Sequence, residues 1–253
     1  MPVSPSKYRV ILLIAGIGKR LRPFTYKIPK CLIELKDEKT ILDIQLDALS
    51  KAGIKETILV VGYYGWKIRE MYGSSYKNMK LRYINNPFYA ITGGAHSLWL
   101  TKNTFKGRPT IIMDGDHVIG SNLIKKLLNS EYENCILVDF DKKELKEEPQ
   151  LIGQNGLIKY LAWDQGGQLH KHVNSEDCIG EALIIVKLSP KASSILADEV
   201  DKHVREGTGI LEIITPLNNT FHRIDCWYVP TDGMPWIEID FKEDLELARR
   251  LKI

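Results

Sequence analysis

Residues 11–32 read ILLIAGIGKRLRPFTYKIPKCL. An apolar run over residues 10–14 stops at Ala15, Gly16 and Gly18, and cations follow at Lys19, Arg20, Arg22 and Lys30. The run has the length and composition of a buried parallel strand. Glycines without a Cβ let the backbone turn sharply and bring its N–H groups close to an anion. The cations place charge where a polyphosphate would lie. Pro23 and Pro29 each remove a donor and restrict the preceding residue, which argues against a long helix here. The stretch is a basic, glycine-hinged loop after the first strand, suited to holding phosphate.

Two common phosphate loops do not match it. The pattern G-x-x-x-x-G-K-[ST] fails because one residue separates the glycines and Arg20 follows Lys19. The pattern G-x-G-x-x-G fails because position 21 is Leu and Pro23 blocks the helix that should begin there. The pattern G-x-G-x-R-[LM]-x-P-x-T-x-x-x-P-K is met by Gly16, Gly18, Arg20, Leu21, Pro23, Thr25, Pro29 and Lys30. In this the chain resembles the nucleotidyltransferases that act on sugar phosphates and alcohol phosphates. The likeness extends to Gly-Gly-Ala-His-Ser at 93–97, Asp-Gly-Asp-His at 114–117, Ile-Gly-Glu-Ala at 179–182 and Glu-Ile-Asp-Phe at 238–241. Within that family it is most similar to members that use CTP with phosphocholine, inositol phosphate or phosphonates.

Composition bounds the answer. The chain has 253 residues, 44% hydrophobic and 26% charged, ordinary for a globular protein with a real core. One domain over 1–253 is expected, with a nucleotide-binding half (1–140) and an acceptor-binding half with a closing helix (141–253). Net charge is +3 from 35 cations and 32 anions, too balanced for a nucleic-acid binder. Cys31, Cys135, Cys178 and Cys226 are scattered without C-x-x-C spacing and read as reduced core thiols. No apolar signal region opens the chain and no apolar run approaches about 18 residues. A soluble, cytoplasmic protein without a membrane partner is expected.

In chain order, Thr40 caps a helix whose face is Ile41, Leu42, Gln45, Leu46 and Leu49, ending at Gly53. Strands are expected at 57–61, 81–84 and 110–113, with helices at 66–72 and from about 93 to 102. The order βαβαβαβ calls for a Rossmann-like, mostly parallel sheet with helices on both faces. Ligands then bind beyond the carboxyl ends of the strands. Later segments read as a hairpin (156–163 with 168–173), a long strand (178–187) and helices near 190–203 and 210–217. Strands at 222–229 and 236–240 and a helix at 241–251 close the chain. The run 141–148 reads as a solvated excursion, and the β-rich middle as an acceptor-binding lid.

Asp114 and Asp116, just past a strand, suit a divalent cation on nucleotide phosphates, and equally serve as turn formers. Asp240 reads either as a second carboxylate at the cleft or as the N-cap of the last helix. The resemblance implies an α/β nucleotidyltransferase fold of the GT-A-like kind, with Mg²⁺ held by Asp116 and Asp240. It implies Arg20 on the leaving phosphates and Lys30 on the α-phosphate. The nucleotide would meet Ala15, Gly16, Ile17, Gly18, Lys19, Gly94 and Ser97, and the acceptor Lys171 and Glu181. The expected reaction passes CMP from CTP to a small phosphorylated alcohol or phosphonate. The alternatives are a sugar-1-phosphate nucleotidyltransferase using UTP, dTTP or GTP, and a silent nucleotide-binding regulatory subunit. His117 reads as a strand-end residue making a local contact, and His170, His172 and His203 have no partners at ligand spacing. Trp163, Trp227, Tyr228 and Trp236 fall in the acceptor half, where they suit an aromatic cage for a quaternary ammonium.

Overall fold

The computed structural model describes residues 3–141, 149–163, 177–207 and 210–253. The arm 168–173 of the expected hairpin, Lys171, His170, His172 and residues 142–148 lie outside the described residues.

Strand β1 (Arg9–Ile14) sits in the parallel half of the sheet. Its alternation sends Val10, Leu12 and Ile14 into one apolar cluster and Ile11 into another. Helix α1 (Ile41–Lys51) begins as expected at Thr40, whose hydroxyl accepts from the Asp43 backbone N–H. The Asp43 carboxylate accepts in return from the Thr40 backbone N–H, closing a reciprocal cap. Strand β2 (Glu56–Val61), helix α2 (Gly65–Tyr72), the two-residue β3 (Ser75–Tyr76) and β4 (Met79–Asn85) follow. Helix α3 (Gly94–Phe105) then leads to β5 (Thr110–Asp114). The strands lie in the order β4-β2-β1-β5, all parallel, as the βαβ reading requires.

The second half adds β6 (His117–Ile119), α4 (Ser121–Asn129), β7 (Cys135–Asp139), β8 (Gln150–Gln154), β9 (Leu157–Ala162) and β10 (Cys178–Leu188). Then come α5 (Pro190–Glu206), α6 (Ile214–Phe221), β11 (Trp227–Pro230), β12 (Trp236–Glu238) and α7 (Lys242–Arg250). The sequence reading did not include β6, α4, β7 or β8.

Strand β9 pairs with β8 across Asn155-Gly156. Both residues have positive φ, 53° and 87°, as a type I′ hairpin turn demands, and Asn-Gly is the pair that adopts it most readily. Helix α6 starts later than expected, with Pro216 in its first turn, where a missing N–H costs nothing.

The β-rich middle belongs to the central sheet. Strand β10 runs antiparallel between β5 and β7, and its first residues turn to pair with β8. With β7–β11, β11–β9 and β9–β8 these pairings close a ring of five strands beside the parallel half. The sheet is therefore mixed overall. Helices α3 and α5 cover one face through Leu98, Phe105, Leu196 and Val200. Helices α1 and α4 cover the other through Leu42, Leu46, Leu49, Ile124 and Leu127. Each such fully buried side chain contributes roughly 1.5–3 kcal/mol. All four cysteines are buried free thiols, as read.

Candidate active site

The loop after β1 winds back on itself instead of running on as a helix. Residues Lys19–Leu21 and Lys30–Leu32 form single 3₁₀ turns on either side of the two prolines. Gly18 has φ 65°, and a Cβ there would sit 3.1 Å from both Lys30 Cβ and Thr25 Cγ2. The buried Thr25 hydroxyl donates to the Gly18 carbonyl at 2.8 Å. The glycine, threonine and lysine of the motif are thus one packed unit, and the packing aims Lys30 across the loop.

Gly115 explains the Asp-Gly-Asp sequence. A Cβ at this position would lie 2.3 Å from Ile14 Cγ2 and 2.5 Å from the Leu13 carbonyl oxygen. Only glycine lets the end of β5 pass so close to the end of β1, and that approach sets Asp116 beside the loop. Gln45 Nε2, on the buried face of α1, donates to the His117 carbonyl at 3.0 Å and fixes the turn from behind.

Asp240 arrives by a long-range pairing. Strand β12 runs antiparallel to β6 with Glu238 opposite His117, and the Ile239 N–H donates to the Asp116 carbonyl at 3.1 Å. Asp240 is not the cap of the last helix. Phe241 holds the N-cap position, and the Asp244 carboxylate in the first turn accepts from the backbone N–H groups of Asp240 and Phe241 at 2.9 and 2.7 Å. The Asp240 side chain is left to face the loop.

Four charges meet there. The Lys30 ammonium donates to Asp116 Oδ2 at 3.2 Å and to Asp240 Oδ1 at 3.0 Å. An Arg20 guanidinium nitrogen lies 2.7 Å from Asp240 Oδ2, and the guanidinium sits over the Phe241 ring at 5.0 Å. Burial alone would lower the Lys30 pKa, but Asp116 and Asp240 outweigh it and push the value up to about 12. Lys30 and His117 in turn hold Asp116 well below the usual carboxylate range, against its burial. Asp114 goes the other way: burial and the charge of Asp116 push it up to about 8. Burial thus favours the neutral form of Asp114, while Lys30 and His117 favour the charged form of Asp116.

His117 is buried, 3.4 Å from Asp116 Oδ1 and 3.6 Å from Glu238 Oε2, with its ring stacked on Trp236. Ligating atoms of Asp116, His117 and Glu238 all fall within 4.8 Å of one another.

These groups line a cleft of about 380 Å³ with Gly16, Ile17, Gly18, Lys19, Arg20, Lys30, Asp116 and Asp240 on its walls. Tyr89, Ala90, Thr92 and Ile210 complete it, and the sequence reading did not include them. For the first three the signal was the turn at Asn86, whose side chain holds Thr92 Oγ1 and the Phe88 N–H. Ala15 lies beneath the loop, its carbonyl accepting from the Tyr63 N–H.

Other expected site residues lie elsewhere. Ser97 is buried, its hydroxyl 3.0 Å from Asn86 Nδ2, and it supports the turn rather than lining the cleft. Gly94 opens α3 beneath Ile213, and the Leu211 carbonyl accepts from the next N–H, that of Ala95. Neither is on the described walls of this cleft. Glu181 is buried on β10, opposite Asp139 and Gln150, away from those walls. Nor do the aromatics form one cage. Trp227 and Tyr228 are successive residues on a strand and face opposite sides: Trp227 stacks on Tyr132, while Tyr228 meets Phe140 edge-on. Trp236 is buried against His117.

A glycine loop, two cations and two carboxylates at the carboxyl ends of parallel strands make a site for nucleotide phosphates and a hard cation. Residues 9–150 match the model of the nucleotidyl transferase family, and the chain belongs to that family. It is 29% identical over 258 residues to the CTP:phosphoglutamine cytidylyltransferase of Campylobacter jejuni, covering 94% of this chain and 97% of that protein. It is 30% identical over 125 residues to the choline-phosphate cytidylyltransferase of Streptococcus pneumoniae, covering 49% of this chain and 52% of that one. The solved structure of a CTP:phosphocholine cytidylyltransferase from Streptococcus pneumoniae superimposes with a TM-score of 0.74 at 20% identity, over 96% of this chain and 98% of that one. No helix among the described residues is long and apolar enough to cross a membrane.

Proposed function

We propose that this chain transfers CMP from CTP to a small phosphorylated alcohol or phosphonate and releases pyrophosphate, with Mg²⁺ as its cofactor. The observation that carries the reading is the convergence of Arg20, Lys30, Asp116 and Asp240 on one cleft beside the glycine loop. The names of the cytidylyltransferases to which the chain is similar support the choice of CTP and of a non-sugar acceptor.

Asp116 and Asp240 would hold the cation. The donor set fits: two carboxylate oxygens face one point, and hard oxygen donors are what Mg²⁺ selects. When bound, the cation neutralises phosphate charge and orients the nucleotide.

The chain's own residues do the rest. Backbone N–H groups of 16–19 receive the triphosphate, and Arg20 meets the β- and γ-phosphates that leave. Lys30 meets the charge that builds on the α-phosphate. An acceptor phosphate or phosphonate oxygen attacks the α-phosphorus, and the bond from that phosphorus to the β-phosphate oxygen breaks. The nucleophile is already an anion at neutral pH, so the reaction needs no side-chain base. Catalysis is positioning and charge stabilisation. Glu181 and Lys171 are assigned to the acceptor, Glu181 to a cationic or hydroxylated group and Lys171 to its phosphate.

The test is pyrophosphate release with Mg²⁺, crossing four nucleoside triphosphates with a panel of acceptors. Phosphocholine, phosphoethanolamine, inositol 1-phosphate, 2-aminoethylphosphonate and glucose 1-phosphate form the panel. Release with CTP and a non-sugar acceptor is expected. Release confined to UTP, dTTP or GTP with a sugar phosphate would replace this reading with that of a sugar-1-phosphate enzyme. Nucleotide binding without release would favour a regulatory subunit.

A further inference from the structure

We propose that Lys30 is the resident counter-ion of the Asp116–Asp240 pair, so that a divalent cation and the Lys30 ammonium compete for one place. The nucleotide's phosphates, by drawing Lys30 away, would open the metal position. The inference rests on the reading of Asp116 and Asp240 as cation ligands.

The geometry leads to it directly. One ammonium nitrogen lies 3.0 Å from Asp240 Oδ1 and 3.2 Å from Asp116 Oδ2, between the two carboxylates. A Mg²⁺ ion sits about 2.0–2.1 Å from its oxygen ligands. An ion bound to those two oxygens would occupy the space the ammonium now fills. Both cations, side by side, would also repel strongly in a partly buried site.

Charge points the same way. Lys30, Arg20, Asp116 and Asp240 together are neutral. Adding a divalent cation alone would leave two positive charges that these four groups do not compensate and that nearby Glu238 offsets only in part. Adding it with a triphosphate would not, because the phosphates bring negative charge and new partners for both Arg20 and Lys30. Metal and nucleotide binding are then positively coupled, with Lys30 as the coupling element. Packing suits the lysine to this role. Its stem is held against Gly18 and its side chain is only 15% exposed, so the ammonium has few other places to go while the nucleotide is absent.

The experiment is a Mn²⁺ titration of the nucleotide-free full chain, read by the loss of the free-ion electron paramagnetic resonance signal. Lys30→Gln, folded by circular dichroism, is expected to bind Mn²⁺ about tenfold more tightly than the native chain. Lys30→Arg, which keeps a cation in place, should stay close to native. The gain should vanish in Lys30→Gln/Asp240→Asn. Mn²⁺ affinity of Lys30→Gln equal to or below native overturns the proposal.

If Lys30→Gln does not fold, acylation of Lys30 in the native chain, read by peptide mass spectrometry, decides. Labelling should rise when Mn²⁺ is added at matched ionic strength, and unchanged labelling overturns the proposal. The two readings fail separately. Pyrophosphate release without Mn²⁺ competition would remove this inference alone, and competition without pyrophosphate release would remove the proposed reaction alone.

Discussion

Trp236 Nε1 donates to Asp139 Oδ2 at 2.6 Å, joining the first residue of β12 to the last residue of β7. Both side chains are buried. The bond holds the strand that sets Glu238 against His117 and leads Asp240 to the cleft. Trp236→Phe keeps most of the ring but leaves the carboxylate short of a donor. It should lower stability by about 1–3 kcal/mol in urea denaturation. Weaker cation binding should accompany it, because β12 is no longer tied down. Unchanged stability would show that Asp139 finds another donor.

Lys30→Ala should lower turnover about 100-fold or more, with a much smaller loss of nucleotide affinity. On the proposed mechanism the lysine meets charge that develops in the transition state, and such interactions appear in kcat. Steady-state kinetics alongside equilibrium nucleotide binding distinguish the two effects. Equal losses in both would assign Lys30 to ground-state binding.

Asp116→Asn and Asp240→Asn should each abolish Mg²⁺-dependent pyrophosphate release while circular dichroism stays native. Both side chains face the cleft, and the backbone contact between Ile239 and Asp116 survives either change.

Gly115 and Gly16 should answer alanine differently. At Gly115 the new Cβ would meet the Leu13 carbonyl and the Ile14 side chain, so a loss of about 1–3 kcal/mol or more is expected. At Gly16 a Cβ meets nothing within 4 Å, so thermal stability should hold. Nucleotide affinity should fall instead, because the methyl group would stand at the mouth of the phosphate site. Thermal denaturation of the two variants checks the contrast.

Asp47 reports on pH. It receives Lys39 at 3.0 Å, Tyr76 at 2.9 Å and the Lys77 ammonium. Burial raises its pKa, but these donors outweigh burial and bring it from 3.8 down to about 2. A carboxylate depressed on folding stabilises the fold above its unfolded pKa and loses that contribution as pH falls through the folded value. Asp47→Asn should therefore be less stable than native at pH 7. The gap should close between about pH 4 and pH 2, as chemical denaturation across that range would show.

Local features were readable along the chain because their physics is local. The β1 run, the glycine loop, the two prolines that bar a helix and the Thr40 cap each depend on neighbours within a few residues. The Asn155-Gly156 turn is equally local, and the sequence reading did not include it. Other features had no local signature. Asp240 could be cap or ligand by spacing alone. Two contacts placed its side chain at the cleft: the β6–β12 pairing, which brought it to Asp116, and the Asp244 carboxylate, which accepts from its backbone N–H.

Ser97 and the aromatic residues show the same division. The resemblance assigned Ser97 to the nucleotide, and in the fold its hydroxyl meets the buried Asn86 side chain. Composition grouped Trp227 with Tyr228, and the pleat of β11 sent them to opposite faces. By itself the sequence determined the strand, the phosphate loop and the residue types that carry charge. Tertiary structure decided which carboxylates meet Lys30. Strand order and register bring together residues far apart in the chain, and the periodicity of a single segment does not encode those pairings.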